Sequence, residues 1–482
     1  MSSTPPTANT VGQLRDLGHP HDRYRPVKAE IRENLVARLA AGEETLPGIV
    51  GFDETVTPQV ERALLAGHDM VLLGERGQGK TRLARTLVGL LDEWTPVIAG
   101  CEINDHPLVP VCRTCQRKLA ERGDAVEIEW RHRSERYGEK LATPDTSVGD
   151  LVGDVDPIKV AEGRTLGDPE TVHYGLVPRT NRGIFAVNEL PDLAERIQVS
   201  LLNVLEERDI QIRGYQLRLP LDILLIATAN PEDYTNRGRI ITPLKDRFGA
   251  EVRTHYPLDL ADELRLVAQE AAVLWDGGTF DAPLVPNHLL ETLGRFAREV
   301  RGAQQVDQRS GVSARLAIAA VETVAASAVR RAALRGEPTA VARVADLVGV
   351  APASMGKVEF DDSDGSAEGR ELEILEHLLR RCVAATYRSR LAGVDLRALQ
   401  DKFDAGLLVE TGDEVTADEL LDQLGAIPNL GVLLDRVEPG GVAEGPAAVG
   451  LAAAVVEFTL EGLHLNRRLA KETAGGRTIY GA

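Results

Sequence analysis

The chain has 482 residues, 43% hydrophobic and 27% charged, ordinary for folded protein but too long for one compact domain. Its formal charge of −19 comes from 55 basic and 74 acidic residues without a long Lys/Arg run, which argues against a nucleic-acid partner. Four cysteines do not suit a disulfide scaffold, the polar start lacks the pattern of a signal peptide, and no uninterrupted apolar run predicts a membrane span, so a cytoplasmic setting is expected.

A polar tail within residues 1–46 leads into a helix over Val27–Ala41, where Ile31, Leu35, Val36 and Leu39 recur at helical spacing. Residues 47–258 then alternate short aliphatic runs with helical patterns, the mark of an α/β unit. Met70–Leu73, Pro96–Ala99, Ile184–Val187 and Ile223–Thr228 read as strands of a parallel sheet covered on both faces, because each is nearly all hydrophobic. Residues 259–350 read as wholly helical, with Leu289, Leu293 and Phe296 on one face and an Ala-rich helix near Ser313 to Leu334. An acidic Gly/Ser-containing linker runs from Glu359 to Glu371. It belongs to an additional linker and helical C-terminal region, 351–482, with its strongest patterns at Ile374–Ala385 and Ala447–Leu465.

The segment Gly74-Glu75-Arg76-Gly77-Gln78-Gly79-Lys80-Thr81 satisfies the phosphate-loop pattern, with an aliphatic strand before it and an amphipathic helix after it. The order has a chemical reason. Glycines let backbone N–H groups close around phosphate oxygens, and the helix N-terminus adds positive potential. Lys80 is placed to reach the β- and γ-phosphates of ATP, and the Thr81 hydroxyl to ligate Mg²⁺.

Such a site needs an acidic strand end facing the loop. The run Ile184–Val187 ends in Asn188-Glu189, where the usual pair is Asp-Glu. Glu189 suits a general base that polarises the attacking water. Asn188 keeps an acceptor oxygen for a Mg²⁺-bound water but lacks the carboxylate charge. Two readings follow: hydrolysis with weaker Mg²⁺ dependence or a slower rate, or a nucleotide-binding module that does not hydrolyse.

With these motifs in order, the sequence resembles the AAA+ ATPase subunit of magnesium chelatase and its MoxR relatives, from about Ile49 to about Leu316. The resemblance implies a P-loop AAA+ parallel-sheet domain and an all-α lid. Gly48 to Asp53, with Ile49 and Val50, looks like the stretch that touches the adenine, and Leu176 to Gly183 is similar to the chelatase sequence before the second motif. Asn230, in Ala-Asn-Pro, resembles the sensor of the γ-phosphate or attacking water. Arg247, in Leu244-Lys-Asp-Arg-Phe248, resembles a finger projected into a neighbouring subunit's site, and Arg315, in Gly311-Val-Ser-Ala-Arg315, resembles the second sensor. Residues 148–180 look like the family's helix-two insertion. Residues 208–220 alternate around Gly214-Tyr215 as a hairpin does. Both segments also admit a plainer reading as decorative surface loops. The family implies a homo-oligomeric ring, commonly a hexamer, and a partner with a von Willebrand factor A domain. Its work is either MoxR-type remodelling or metal insertion into a tetrapyrrole. A transcription activator that remodels polymerase would carry a Gly-Ala-Phe-Thr-Gly-Ala loop, which the sequence lacks.

Within about 101–135, Cys101, Cys112 and Cys115 form C-x10-C-x2-C. Three thiols at this spacing fit three corners of a tetrahedral Zn²⁺ site, with His106 or else His132 as the fourth ligand; ordinary reduced thiols are the alternative.

Overall fold

A computed structural model describes residues 4–17, 23–155, 171–206, 210–212, 215–217, 219–231, 239–273, 282–307, 310–361, 369–425, 430–441, 445–474 and 476–482. They form two compact units, Met1–His255 and Tyr256–Ala482.

In the first unit the strands are β1 (Met70–Leu73), β2 (Trp94–Ile98), β3 (Ile128–His132), β4 (Tyr137–Leu141), β5 (Gly153–Val155), β6 (Val172–Tyr174), β7 (Gly183–Asn188), β8 (Ile210–Ile212), β9 (Tyr215–Leu217), β10 (Ile223–Ala229) and β11 (Ala250–Arg253). Five of them make one parallel sheet in the order β11-β1-β10-β7-β4. The three inner strands are buried at every position, and their alternation feeds two cores. Val71, Leu73, Phe185, Val187, Leu225 and Ala227 belong to one. Met70, Leu72, Ile184, Ala186, Leu224 and Ile226 belong to the other, packed with Ile31 and Leu35 of the helix Val27–Ala41 and with Leu83 and Leu87 beyond the phosphate loop.

The expectation for Pro96–Ala99 is corrected. All of this run but Ala99 lies in β2, which pairs antiparallel with β3 in a separate two-stranded ribbon. Proline has no N–H for a central ladder, and a ribbon tolerates it. The sheet instead takes β4 and β11 as its edges. An edge strand is only half covered, so neither Tyr-Gly-Glu-Lys-Leu nor Ala-Glu-Val-Arg is a continuous apolar run. Within 208–220, β8 and β9 pair antiparallel as the alternation predicts, with Ile210 opposite Leu217; residues 208, 209, 213, 214 and 218 lie outside the described residues.

The segments expected as lid, 259–350, and as C-terminal region, 351–482, share one compact second unit. Leu289, Leu293 and Phe296 on the helix Asn287–Gly302 sit in one core with Leu375, Leu378 and Leu379 on the helix Glu371–Arg390. Residues 362–368 of the linker lie outside the described residues. The C-terminal region is largely helical, as expected. It also carries an antiparallel sheet that the sequence pattern does not predict, β12 (Val409–Gly412), β13 (Ala470–Ala474) and β14 (Arg477–Gly481), in the order β12-β14-β13. Among the described residues, one helix, Pro446–Leu465, contains a stretch long and apolar enough to cross a membrane, but 78% of that stretch is buried inside the fold. On it Glu457 accepts the Ala345 N–H at 2.8 Å and Glu461 pairs with Lys471 at 2.7 Å, as suits a core helix.

Candidate functional site

Parallel strands all end on one side of their sheet, so the segments leaving β1, β10 and β7 emerge together. The register makes this concrete: Leu73 pairs with Ala229 and Ala227 with Val187. Just beyond these positions stand Gly74, Asn230 and Asn188-Glu189.

The phosphate loop is held open by its own side chains. Gln78 Oε1 accepts the Glu75 N–H at 3.0 Å and the Thr254 hydroxyl at 2.9 Å. A side chain at Gly74 would displace the loop's own partners, since a Cβ would lie 2.0 Å from Thr254 Oγ1 and 2.3 Å from Gln78 Oε1. Gly79 caps the helix Lys80–Thr86 at φ 74°, a left-handed conformation that glycine adopts without strain. Arg82 Nε donates to the Gly48 carbonyl at 3.1 Å, tying the expected adenine-side stretch, with buried Ile49 and half-buried Val50, to this helix.

Lys80 is 9% exposed. Its ammonium donates to the carbonyls of Gly74 and Glu75, the latter at 2.8 Å, and to Asn230 Oδ1 at 2.8 Å. A buried ammonium needs such acceptors, and phosphate oxygens are the natural replacements. Lys80 and Asn230, 150 positions apart, therefore meet directly.

Thr81 Oγ1 lies 3.5 Å from Asn188 Oδ1, and Thr228 Oγ1 donates to the same oxygen at 3.4 Å. The Asn188 amide N–H donates to Glu139 Oε1 at 2.6 Å. Glu139 stands on β4, next to the strand that carries Asn188. The carboxylate missing at position 188 is thus present across the strand pair. Burial works against its charge, but hydrogen bonds and the field of Arg85 (2.8 and 3.0 Å) outweigh this and hold its pKa below the usual carboxylate value. Sequence reasoning missed Glu139; the only signal is an acidic residue within a weak edge-strand pattern. Glu189 follows Asn188 at φ 57°, ψ 47°, an unusual left-handed position for a side-chain-bearing residue, with its N–H donated to Thr228 Oγ1 at 3.1 Å. Backbone strain of this kind gathers at functional sites.

Arg247 ends the helix Thr242–Arg247 with its side chain 45% exposed and 3.6 Å from Asp246. Lys245 on the same helix pairs with Glu251 at 3.2 Å, and both line a recess of about 310 Å³ shared with Gly74, Glu75 and Gln78. Arg315 is the exposed first residue of the helix Arg315–Arg335 in the second unit. In the segment 148–180, the helix Val148–Leu151 leads into an antiparallel β5–β6 pair; residues 156–170 lie outside the described residues.

Cys101, Cys112 and Cys115 converge, with donor atoms within 4.8 Å of one another, but the fourth donor in that set is Asp105. His106, expected as the fourth ligand, is not in that set. Its Nδ1 accepts the Leu108 N–H at 3.2 Å, and its ring packs edge-on against Tyr24. His132, the alternative, is engaged with Ser134 at 2.7 Å.

The family model described as "Sigma-54 interaction domain" matches residues 164–247, the stretch that holds β7, β10 and Arg247. The magnesium-chelatase 38 kDa subunit of Cereibacter sphaeroides is 28% identical over 245 residues, covering 48% of this chain and 65% of that protein. The corresponding subunit of Acidiphilium rubrum is 30% identical over 257 residues, covering 52% and 62%. The chain thus spans less than two thirds of the length of these relatives. A chain from a cryo-EM-based model of the complex between subunits BchI and BchD of magnesium chelatase matches at 21% identity and a TM-score of 0.34 over 68% of this chain and 97% of that chain.

Proposed function

We propose that this chain, whose AAA+ module is similar to the ATPase subunit of magnesium chelatase and to MoxR-type ATPases, binds and hydrolyses ATP and uses the cycle to remodel a partner protein. The observation that carries the reading is the meeting of Lys80 with Asn230 beneath the phosphate loop, beside Thr81 and Asn188.

ATP phosphates replace the carbonyl and amide acceptors of Lys80, and its ammonium neutralises charge on the β- and γ-phosphates. Asn230, released from Lys80, is then free to hydrogen-bond the γ-phosphate or the attacking water. Glu189 accepts the water's proton as general base. Arg247 from a neighbouring subunit supplies a guanidinium donor to the charge that develops on the transferred group, and Arg315 keeps the second-sensor role that the resemblance implies. The Thr81 hydroxyl and Asn188 Oδ1 face each other as a pair that fits Mg²⁺, which when bound draws charge from the phosphate oxygens. Glu139, hydrogen-bonded to Asn188, adds the negative charge that Asn188 lacks.

Glu139→Gln should therefore raise the half-saturating Mg²⁺ for ATP turnover about tenfold, or ~1.4 kcal/mol, while Mg²⁺-free nucleotide binding stays the same. Asn188→Asp alone should not improve turnover, because two carboxylates would then face each other; combined with Glu139→Gln it should restore the Mg²⁺ requirement. A Mg²⁺ titration of the three variants checks both statements.

A ring, hexameric in this reading, follows from the role given to Arg247, since a finger supplied in trans completes each site only between subunits. The partner carries a von Willebrand factor A domain and the setting is cytoplasmic. We favour MoxR-type remodelling as the output. A motor for metal insertion into a tetrapyrrole is the second reading, supported by the chelatase subunits among its relatives. A nucleotide-dependent scaffold with little hydrolysis is the third, motivated by Asn188.

Glu189→Gln protein charged with ATP should retain its partner in a pull-down, whereas Lys80→Ala should not. Recovery of the same proteins with both variants would count against ATP-coupled remodelling.

A further inference from the structure

We propose that the insertion after β2 is a structural Zn²⁺ site with four protein ligands, the thiolates of Cys101, Cys112 and Cys115 and the carboxylate of Asp105. The inference stands apart from the ATPase reading.

The four donor atoms lie within 4.8 Å of one another. A tetrahedral zinc with Zn–S bonds of ~2.3 Å places its sulfurs ~3.8 Å apart, so modest inward movement closes the shell. All three thiols are free and buried. Asp105 is 1% exposed. One of its oxygens, Oδ2, accepts the Cys112 N–H at 2.9 Å, while Oδ1 is buried without a hydrogen-bond partner. A buried carboxylate oxygen left unbonded beside three sulfurs is costly unless a cation takes it. Zinc supplies that cation, and Oδ1 is the atom left to bind it.

The backbone is arranged for thiolates. The Asp105 N–H points at Cys101 Sγ (3.4 Å) and the Cys115 N–H at Cys112 Sγ (3.3 Å). Cys112 is the N-cap of the ten-residue helix Arg113–Arg122, where a negative sulfur is favoured. Such N–H···S bonds orient and stabilise metal-bound sulfur. A disulfide between Cys112 and Cys115 would leave Cys101 and the unbonded Asp105 oxygen unexplained. With four protein donors the site keeps no open position, which makes it structural and not catalytic.

Its location gives it a task. The Ile103 carbonyl accepts the Asn181 amide at 3.0 Å, Asn104 donates to the Arg179 carbonyl at 2.7 Å, and Arg182 donates to the Asn104 carbonyl at 3.3 Å. Residues 179–182 lead directly into β7, the strand that ends in Asn188-Glu189. The zinc loop therefore braces the entry to the strand that carries the second motif.

The test is metal analysis of the full chain purified under reducing conditions without chelator, followed by cobalt substitution. About one zinc per chain is expected, falling below ~0.2 in Cys112→Ser and Cys115→Ser. Asp105→Ala should lose zinc readily to a mild chelator, and His106→Ala should retain it. Because a variant can lose metal by misfolding, the wild-type chain loaded with Co²⁺ is the second readout. It should show sulfur-to-cobalt charge-transfer absorption and the intense visible bands of tetrahedral cobalt. Less than ~0.2 zinc in the wild type, a Cys112–Cys115 disulfide in its place, or weak octahedral cobalt bands would overturn the site. Loss of zinc in folded His106→Ala with full retention in Asp105→Ala would overturn Asp105 as the fourth ligand.

Discussion

Glu189→Gln should lower steady-state ATP turnover by ~10²- to 10⁴-fold while leaving ATP binding intact, the range expected for loss of a general base. The substitution keeps size and hydrogen bonding but removes the group that accepts the water's proton. Lys80, Thr81 and Asn230 are untouched, so nucleotide still binds and the complex is held before hydrolysis. Phosphate release and retention of labelled ATP on the same sample check the two halves of this expectation. Unchanged turnover would remove Glu189 from the catalytic set. It would also leave the strained φ of 57° at that position without the purpose given to it here.

Arg247→Ala should cost about 10³-fold or more in turnover, the scale of an arginine finger. The exposed side chain at the end of a short helix has little to lose in stability, so this variant should fold and bind ATP like the parent. Mixing separates a finger in trans from a residue that acts in its own site. Arg247→Ala subunits have an intact phosphate loop, and Lys80→Ala subunits have an intact finger. A mixture should recover activity that neither shows alone, because some interfaces join a good loop to a good finger. Turnover by Arg247→Ala equal to that of the parent would end the assignment. Lost turnover with no recovery on mixing would place Arg247 within its own subunit's site.

The parts of the site written contiguously are legible in the sequence. Gly74 to Thr81 is one local segment, and the inner strands β1, β7 and β10 announce themselves because burial on both faces demands unbroken apolar runs. Asn188 is readable as a departure, but its meaning is not. Its partner Glu139 lies 49 positions away on an edge strand, whose half-exposed pattern carries little signal. Register across a sheet creates that pair, and register is set by the whole core. Asp105 escapes for a related reason. Ligand spacing draws attention to cysteine and histidine, whereas a lone aspartate in a loop is indistinguishable from a turn residue until its unbonded oxygen is seen among sulfurs. The small sheet β12–β14 escapes because its strands are short and mixed in polarity, and β12 comes to β14 from across the final helix.

The central claim is that the loop Gly74 to Thr81 holds ATP for hydrolysis even though Asn188 replaces the usual aspartate. Single-turnover phosphate release with Mg²⁺ and enzyme in excess over ATP tests it most directly, with wild type and Lys80→Ala run side by side. Wild type should convert its bound ATP to ADP and phosphate, and Lys80→Ala should remain at the uncatalysed background. ATP held by wild type with no phosphate released above that background would contradict the account and leave a nucleotide-binding scaffold.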